Sequence, residues 1–543
     1  MQRLVVRPYA TSILPALTVR QRLFTSAFIG AVMLFLGLTP SARGSALEES
    51  GTPTVTVAPP GAHHFPFLSS ALNLGALGYV ETEFFFSGTA QAYVNVGAFG
   101  ADGRWNVAPN PGVTAPYTLR LLVRRPNDPR KFNGTVVVEW FNETAGFDFS
   151  VEWNYTHDEL LREGYAYVGV TPQYIGAQAL QAWEAGQPGN RYATIFHPGD
   201  SFAYDIFSQA GRAIAHPRKR GAQPLGALTG KVKTLLATGH SQSGSYLFTY
   251  INAVHRLAHV YDGFLVTGAG IGAPLSIFWA GLGDPNQTIL GGVPATPFIN
   301  IAYPAGIRTD QHLPVLMEAS ELDVLYGVGQ TVHNQPDSGT FRLWEVAGSA
   351  HFDALADANN TEIQKTYPGS PSITAGCTAP PANTGEPQAY ALRAAIHALN
   401  RWVTSEEPPT KAPRLSIEVP DPFQVAIIHR DAATGLAIGG IRLPPVAVPV
   451  GTLTGDRPPL ALDTCFPTLG AYDPWNRDGD VWDGQAGFDP SPTPEPDLQL
   501  LYSSHGDYVR RVAASALQSV KSGFMRPYDA LTAAQAAITA QVP

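Results

Sequence analysis

The sequence predicts an α/β fold: a mostly parallel central sheet with helices on both faces, a lid-like insertion and a C-terminal extension. Three observations predict it. Apolar strand-like runs come first, at Tyr79–Phe86, Tyr117–Val123 and Gly134–Phe141. Strands and helices then alternate along about 270 residues, the pattern of parallel strands joined by crossover helices. One strand ends in a Gly/Ser turn that leads straight into a helix.

The elements follow in order. Gly134-Thr-Val-Val-Val-Glu-Trp-Phe is a largely apolar run suited to a buried strand. Glu152–Arg162 reads as a helix, Tyr165–Val170 as a strand and Phe202–Ala215 as a helix. Thr234–Gly239 is a strand, Ser245–Leu257 a helix and Gly263–Thr267 a strand. Leu313–Ala319 and Phe341–Ala347 are further strands, and Tyr390–Val403 has helical periodicity. Residues 271–309 are rich in Gly and Pro and interrupt the alternation, as a lid would. Residues 408–543 are Pro/Gly-rich, with a helical end from about Asp507, and form the extension.

The bulk numbers limit the function classes. The 543 residues are 44% hydrophobic and only 15% charged, so the chain is globular. With a net charge of −9 and no basic block, nucleic acid is not expected as a partner. Residues 1–45 read as a secretory signal: Arg3, Arg7, Arg20 and Arg22 precede an apolar run from Phe24 to Leu38, then small residues. That run is short for a bilayer span, and no later segment is long and apolar enough, so no stable membrane span is expected after cleavage. The protein is therefore expected to be exported, to a periplasm or beyond. In an oxidising compartment Cys377 and Cys465, the two cysteines present, are expected to form a disulfide. Asn476-Arg-Asp-Gly-Asp-Val-Trp-Asp lacks the glycine of a calcium loop at its sixth position and reads as a polar surface loop; no metal and no cofactor are expected.

The chemistry is carried by Thr234-Leu-Leu-Ala-Thr-Gly-His-Ser-Gln-Ser-Gly. A strand, a sharp turn with small neighbours and a helix are the context of a nucleophile elbow, which exposes one serine Oγ. Ser241 is the nucleophile expected from Gly239-His-Ser. Ser243 is the rival, because the second glycine falls at Gly244, one residue later than in G-x-S-x-G. Serine needs a base. His351 follows the last candidate strand in Arg342-Leu-Trp-Glu-Val-Ala-Gly-Ser-Ala-His. The acid belongs after the preceding strand, in Met317-Glu-Ala-Ser-Glu-Leu-Asp: Asp323 is favoured and Glu321 is the alternative, with Glu318 set aside as a strand residue. The oxyanion donors expected are the N–H of Gln242 and that of Phe141 or Asn142.

This order of Ser, acid and His is that of the α/β-hydrolase fold. Glu139-Trp-Phe-Asn, His157-Asp-Glu-Leu-Leu-Arg-Glu-Gly, His197-Pro-Gly-Asp, Ser241-Gln-Ser, Tyr261-Asp-Gly-Phe-Leu-Val, Ser320-Glu-Leu-Asp and Trp344-Glu-Val-Ala-Gly-Ser-Ala-His resemble a family of large α/β-hydrolase-domain proteins, many of them exported by bacteria. That family's elbow resembles G-x-S-Q-S-A/G, which supports Ser241 over Ser243. The resemblance runs from about Ala46 to the end, so it makes 46–407 the catalytic domain and 408–543 an integral extension packed on it. It implies hydrolysis of a small-molecule ester or related acyl bond through an acyl-enzyme, without a cofactor. The same triad would serve an acyltransferase or a peptidase, and the fold alone would serve a binding protein.

Overall fold

In a computed structural model of the chain, the described residues are 51–269, 305–325, 327–366, 381–419, 425–456, 467–475 and 496–543. The expected signal segment, Cys377, Cys465, residues 476–483 and all of the 271–309 insertion except 305–309 lie outside them. Residues Glu49–Pro543 form one compact unit.

Nine strands make the central sheet: β1 (Thr54–Val57), β2 (Tyr79–Asn95), β3 (Val107–Pro126), β4 (Thr135–Trp140), β5 (Ala166–Val170), β6 (Thr234–His240), β7 (Gly263–Thr267), β8 (Val315–Ala319) and β9 (Phe341–Glu345). Their order is β1-β2-β3-β5-β4-β6-β7-β8-β9. The pairs from β5 through β9 are parallel, and those from β1 to β5 antiparallel. Every residue of β4, β6, β7, β8 and β9 is buried, which is why apolar residues dominate them, with Glu139, His240, Glu318, Arg342 and Glu345 as buried exceptions.

Successive strand residues face opposite sides, and the end of β4 shows what covers each. Glu139 accepts the N–H groups of Glu152 and Trp153, in the first turn of α1 (Val151–Arg162), at 3.0 Å each. Trp140 turns the other way, stacking on Tyr246 and packing against Tyr204 and Phe207. Those residues belong to α2 (Ala203–Ala215) and α3 (Gln242–Thr249). Helices therefore cover both faces, as expected. On the first face α1 packs against α4 (Glu386–Ser405).

Two expectations are corrected here. β2 and β3 extend well beyond the predicted segments as a long antiparallel ribbon, with a bulge between Gln91 and Tyr93. The helix after the elbow begins at Gln242, not Ser245: the N–H of Ser245 already donates to the carbonyl of Ser241. Ser and Gly are weak helix formers, but the fixed turn overrides their propensity.

The later segment meets the last strand directly. Ile441 bridges beside Val346, donating to the Glu345 carbonyl at 2.7 Å and accepting from Ala347 N–H at 3.1 Å. No helix among the described residues is long and apolar enough to cross a membrane.

Candidate active site

The parallel strands deliver polar residues at their carboxyl ends, where ligands of open α/β sheets bind. Ser241 follows β6 with φ 58° and ψ −117°, a conformation that non-glycine residues rarely adopt. Its N–H is held by the Thr267 carbonyl at 3.0 Å. The glycine spacing has a steric cause. A Cβ on Gly244 would stand 2.5 Å from the Thr267 carbonyl oxygen, and one on Gly239 would stand 3.0 Å from the Ser243 main chain. The glycine is therefore required at 244, where the β7 end crosses the elbow.

The structure separates the two serines. Ser243 is fully buried, and its Oγ lies 2.9 Å from both the N–H and the carbonyl of His240. Ser241 Oγ instead meets His351 Nε2 at 2.8 Å. His351 Nδ1 stands 2.7 Å from Asp323 Oδ1. Asp323 Oδ2 accepts from the N–H of Ser320 at 2.8 Å and from its hydroxyl at 2.7 Å. Burial alone would raise the Asp323 carboxyl, but His351 and the hydrogen bonds from His351 and Ser320 outweigh it and hold the group below its ordinary value.

Glu321, the alternative acid, is corrected by its partners. Its carboxylate accepts from Gly348 N–H at 2.6 Å, Gly455 N–H at 2.9 Å and Arg430 at 2.9 Å. It ties the histidine loop to the later segment and does not face His351. That loop is also held by Asn383, which donates to the carbonyls of Gly348 and Thr454, and by Phe352 N–H, which donates to Thr468. Glu318, set aside from the sequence, is fully buried and accepts from Gln388 at 3.0 Å.

The oxyanion donors need a second correction. Phe141 N–H donates to the Val170 carbonyl at 3.1 Å, and Asn142 N–H to that of Phe149 at 3.0 Å, so neither is free to face Ser241. The Asn142 side chain donates to the His240 carbonyl at 2.9 Å and braces the elbow. The next N–H, that of Glu143, donates to Gln242 Oε1 at 3.1 Å. Gln242 opens α3, so its own N–H lacks an intrahelical acceptor. The Glu143 carboxyl, raised well above its usual range by burial and then by Asp148 and Asp200, fixes this loop by accepting Gly176 N–H at 2.6 Å.

Sequence reasoning missed His240, Thr267, Glu152 and Glu143. Thr267 and Glu152 were legible only as a strand and a helix residue and His240 only as part of the elbow, yet the three meet behind His351. Among the described residues there is no cluster of three or more His, Cys, Asp or Glu side chains that could hold a metal.

A family model described as an alpha/beta hydrolase domain matches residues 52–535. A search of curated proteins found no match. Among solved structures, the chain is similar to XC6422 from Xanthomonas campestris, a serine hydrolase without a lid, at 12% identity and a TM-score of 0.26, covering 52% of this chain and 97% of that one. Est1E from Butyrivibrio proteoclasticus matches at 12% identity and a TM-score of 0.26, covering 51% and 97%. Oligopeptidase B from Leishmania major matches at 12% identity and a TM-score of 0.28, covering 54% and 36%.

Proposed function

The chain belongs to the alpha/beta hydrolase domain family, and from that premise we propose that it is a serine hydrolase that cleaves a carboxylic ester through an acyl-enzyme. One observation carries the reading: Ser241 Oγ, the His351 imidazole and the Asp323 carboxylate form an unbroken chain of contacts at 2.8 and 2.7 Å. A strained serine backbone at its head supports it.

In this reading His351 Nε2 takes the Ser241 proton as Oγ attacks the acyl carbon. Asp323 keeps Nδ1 protonated and stabilises the imidazolium. The developing oxyanion is received by the N–H of Gln242 and that of Glu143. The latter donates to a neutral side-chain oxygen in the free protein, and an anionic oxygen is the stronger acceptor. Protonated His351 then gives its proton to the leaving alcohol. Water, activated by the same imidazole, releases the acid.

The test is turnover of a panel of aryl and alkyl esters by the wild type and by Ser241→Ala. Turnover lost in a folded Ser241→Ala supports the reading, and retained turnover sinks it. Product analysis with added alcohols or amines distinguishes acyl transfer from hydrolysis. We also propose export with a mature N terminus near residue 45; sequencing the N terminus of protein recovered outside the cytoplasm tests that.

A further inference from the structure

Behind His351 lies a second imidazole that the hydrolytic steps do not use. His240 sits between Gly239 and Ser241, and only 2% of it is exposed. Its Nε2 is 2.7 Å from the main-chain oxygen of His351. Its Nδ1 is 2.9 Å from Thr267 Oγ1. Thr267 Oγ1 in turn contacts Glu152 Oε1. His240 and Thr267 are register partners on β6 and β7, and Glu152 is aimed by the bond from its N–H to Glu139. A line of four groups thus runs from α1 to the backbone of His351.

The protons on this line follow from its donors and acceptors together with burial. A carbonyl only accepts, so His240 Nε2 carries hydrogen. Burial, then His351, drives His240 toward its neutral form and lowers its pKa to about 3, so Nδ1 is bare and accepts. Thr267 gives its single hydroxyl hydrogen to Nδ1. The contact between Thr267 and Glu152 then needs a hydrogen from the carboxyl. Burial favours that state, raising Glu152 to about 7. Moving this proton to His240 would leave the inventory unchanged. Losing it would not: one contact would then set lone pair against lone pair. If Thr267 turns to an ionised Glu152 and His240 to Thr267, the broken contact is the one to His351.

We propose that Glu152, Thr267 and His240 form a proton-loaded chain that positions the His351 main chain, and that His240 lets go of His351 when the chain loses its proton. The proposal rests on the reading of His351 as the base and adds an alkaline limit to it. The carboxyls and phenols facing Glu152 work against losing the proton. Glu139 from β4, Glu318 from β8, Tyr155 from α1 and Tyr167 from β5 face Glu152, and none of them offers a positive charge. His351 and Asp323 face His240.

The experiment is the rate of fluorophosphonate labelling at Ser241 from about pH 6 to about pH 10, with melting temperatures, for the wild type, Glu152→Gln, Glu152→Leu, His240→Phe and Thr267→Val. The wild-type rate is expected to fall at alkaline pH. Glu152→Gln keeps a donor toward Thr267 with no proton to lose, so it should retain most of the rate and lose the alkaline fall. Glu152→Leu and His240→Phe should slow labelling about 10- to 100-fold, the scale of a misplaced catalytic group. Should either unfold, Thr267→Val, nearly isosteric, is expected to show the same loss. The proposal is overturned if Glu152→Gln is as slow as Glu152→Leu, if it keeps the alkaline fall, or if folded His240→Phe or Thr267→Val labels like the wild type. A wild type that is not labelled at Ser241 brings down the hydrolase reading itself.

Discussion

Gly268 lies between the imidazoles of His240 and His351: a Cβ there would approach His240 Cε1 to 2.8 Å and His351 Cε1 to 3.1 Å. The two ring centroids are 4.8 Å apart, and Gly268 has φ +58°. Gly268→Ala would therefore strain the backbone and push His351. The expected result is a kcat lower by about 100-fold and a stability loss of about 1–3 kcal/mol, read from ester kinetics and denaturant melts. A variant with unchanged kcat would show that the two rings are not held against each other.

Asp323 and Glu321 separate by readout. Asp323→Asn keeps the shape but loses the charge that orients and stabilises His351, so kcat should drop by about 1,000-fold or more. Glu321→Gln leaves the contacts among Ser241, His351 and Asp323 intact and weakens the tie to Arg430, Gly348 and Gly455. Its expected effect is a stability loss of about 1–3 kcal/mol with a far smaller change in kcat. Urea melts and steady-state kinetics on both variants check this. A larger kcat loss in Glu321→Gln than in Asp323→Asn would reverse the assignment.

Ser243 braces the elbow through His240, so Ser243→Ala is expected to cost about 1–2 kcal/mol while a reactive serine remains. Active-site titration of that variant should give the same number of reactive serines per chain as the wild type. Loss of all reactivity in folded protein would make Ser243 the nucleophile.

Buried carboxyls set the slope of stability with pH. Burial, then Glu152, raises Glu139 to about 8; burial raises Glu152 to about 7 and Asp353 to about 7. Burial lowers His197 to about 4, and burial with His351 lowers His240 to about 3. Between about pH 4 and about pH 6.5 the two sets oppose each other. Above about pH 6.5 these histidines are neutral folded or unfolded, whereas the carboxyls hold their protons only in the folded state. The folded state then binds more protons, and its stability is lost as pH rises through 7 to 8. The lowered Asp323 acts only below its ordinary range, where its stabilisation fades as pH falls. Melting temperatures at rising pH above neutrality should decline steadily; a flat or rising series would contradict the buried protonated carboxyls.

The sequence made the parallel strands legible because each is buried on both faces and so is mostly apolar, as in residues 135–138 and Gly263–Thr267. It made the elbow legible because close approach at Gly239 and Gly244 forces small residues into a short stretch. It did not show the outer halves of β2 and β3, where Pro109, Pro111 and Gly112 interrupt a partly exposed ribbon. The choice between Asp323 and Glu321 depends on which way a turn points two carboxylates, and residue type does not encode that. The donors at Phe141 and Asn142 failed because their N–H groups pair with Val170 and Phe149, partners fixed by the tertiary fold. His240 was hidden for the same reason: a histidine between Gly239 and Ser241 declares its role only when Thr267 and the His351 carbonyl lie beside it.

The most direct test of the central claim is fluorophosphonate labelling of the folded wild-type protein, with the modified peptide mapped by mass spectrometry. A single adduct on Ser241, lost in His351→Ala, is the predicted result. An adduct on Ser243, or none at all on folded protein, would contradict the account.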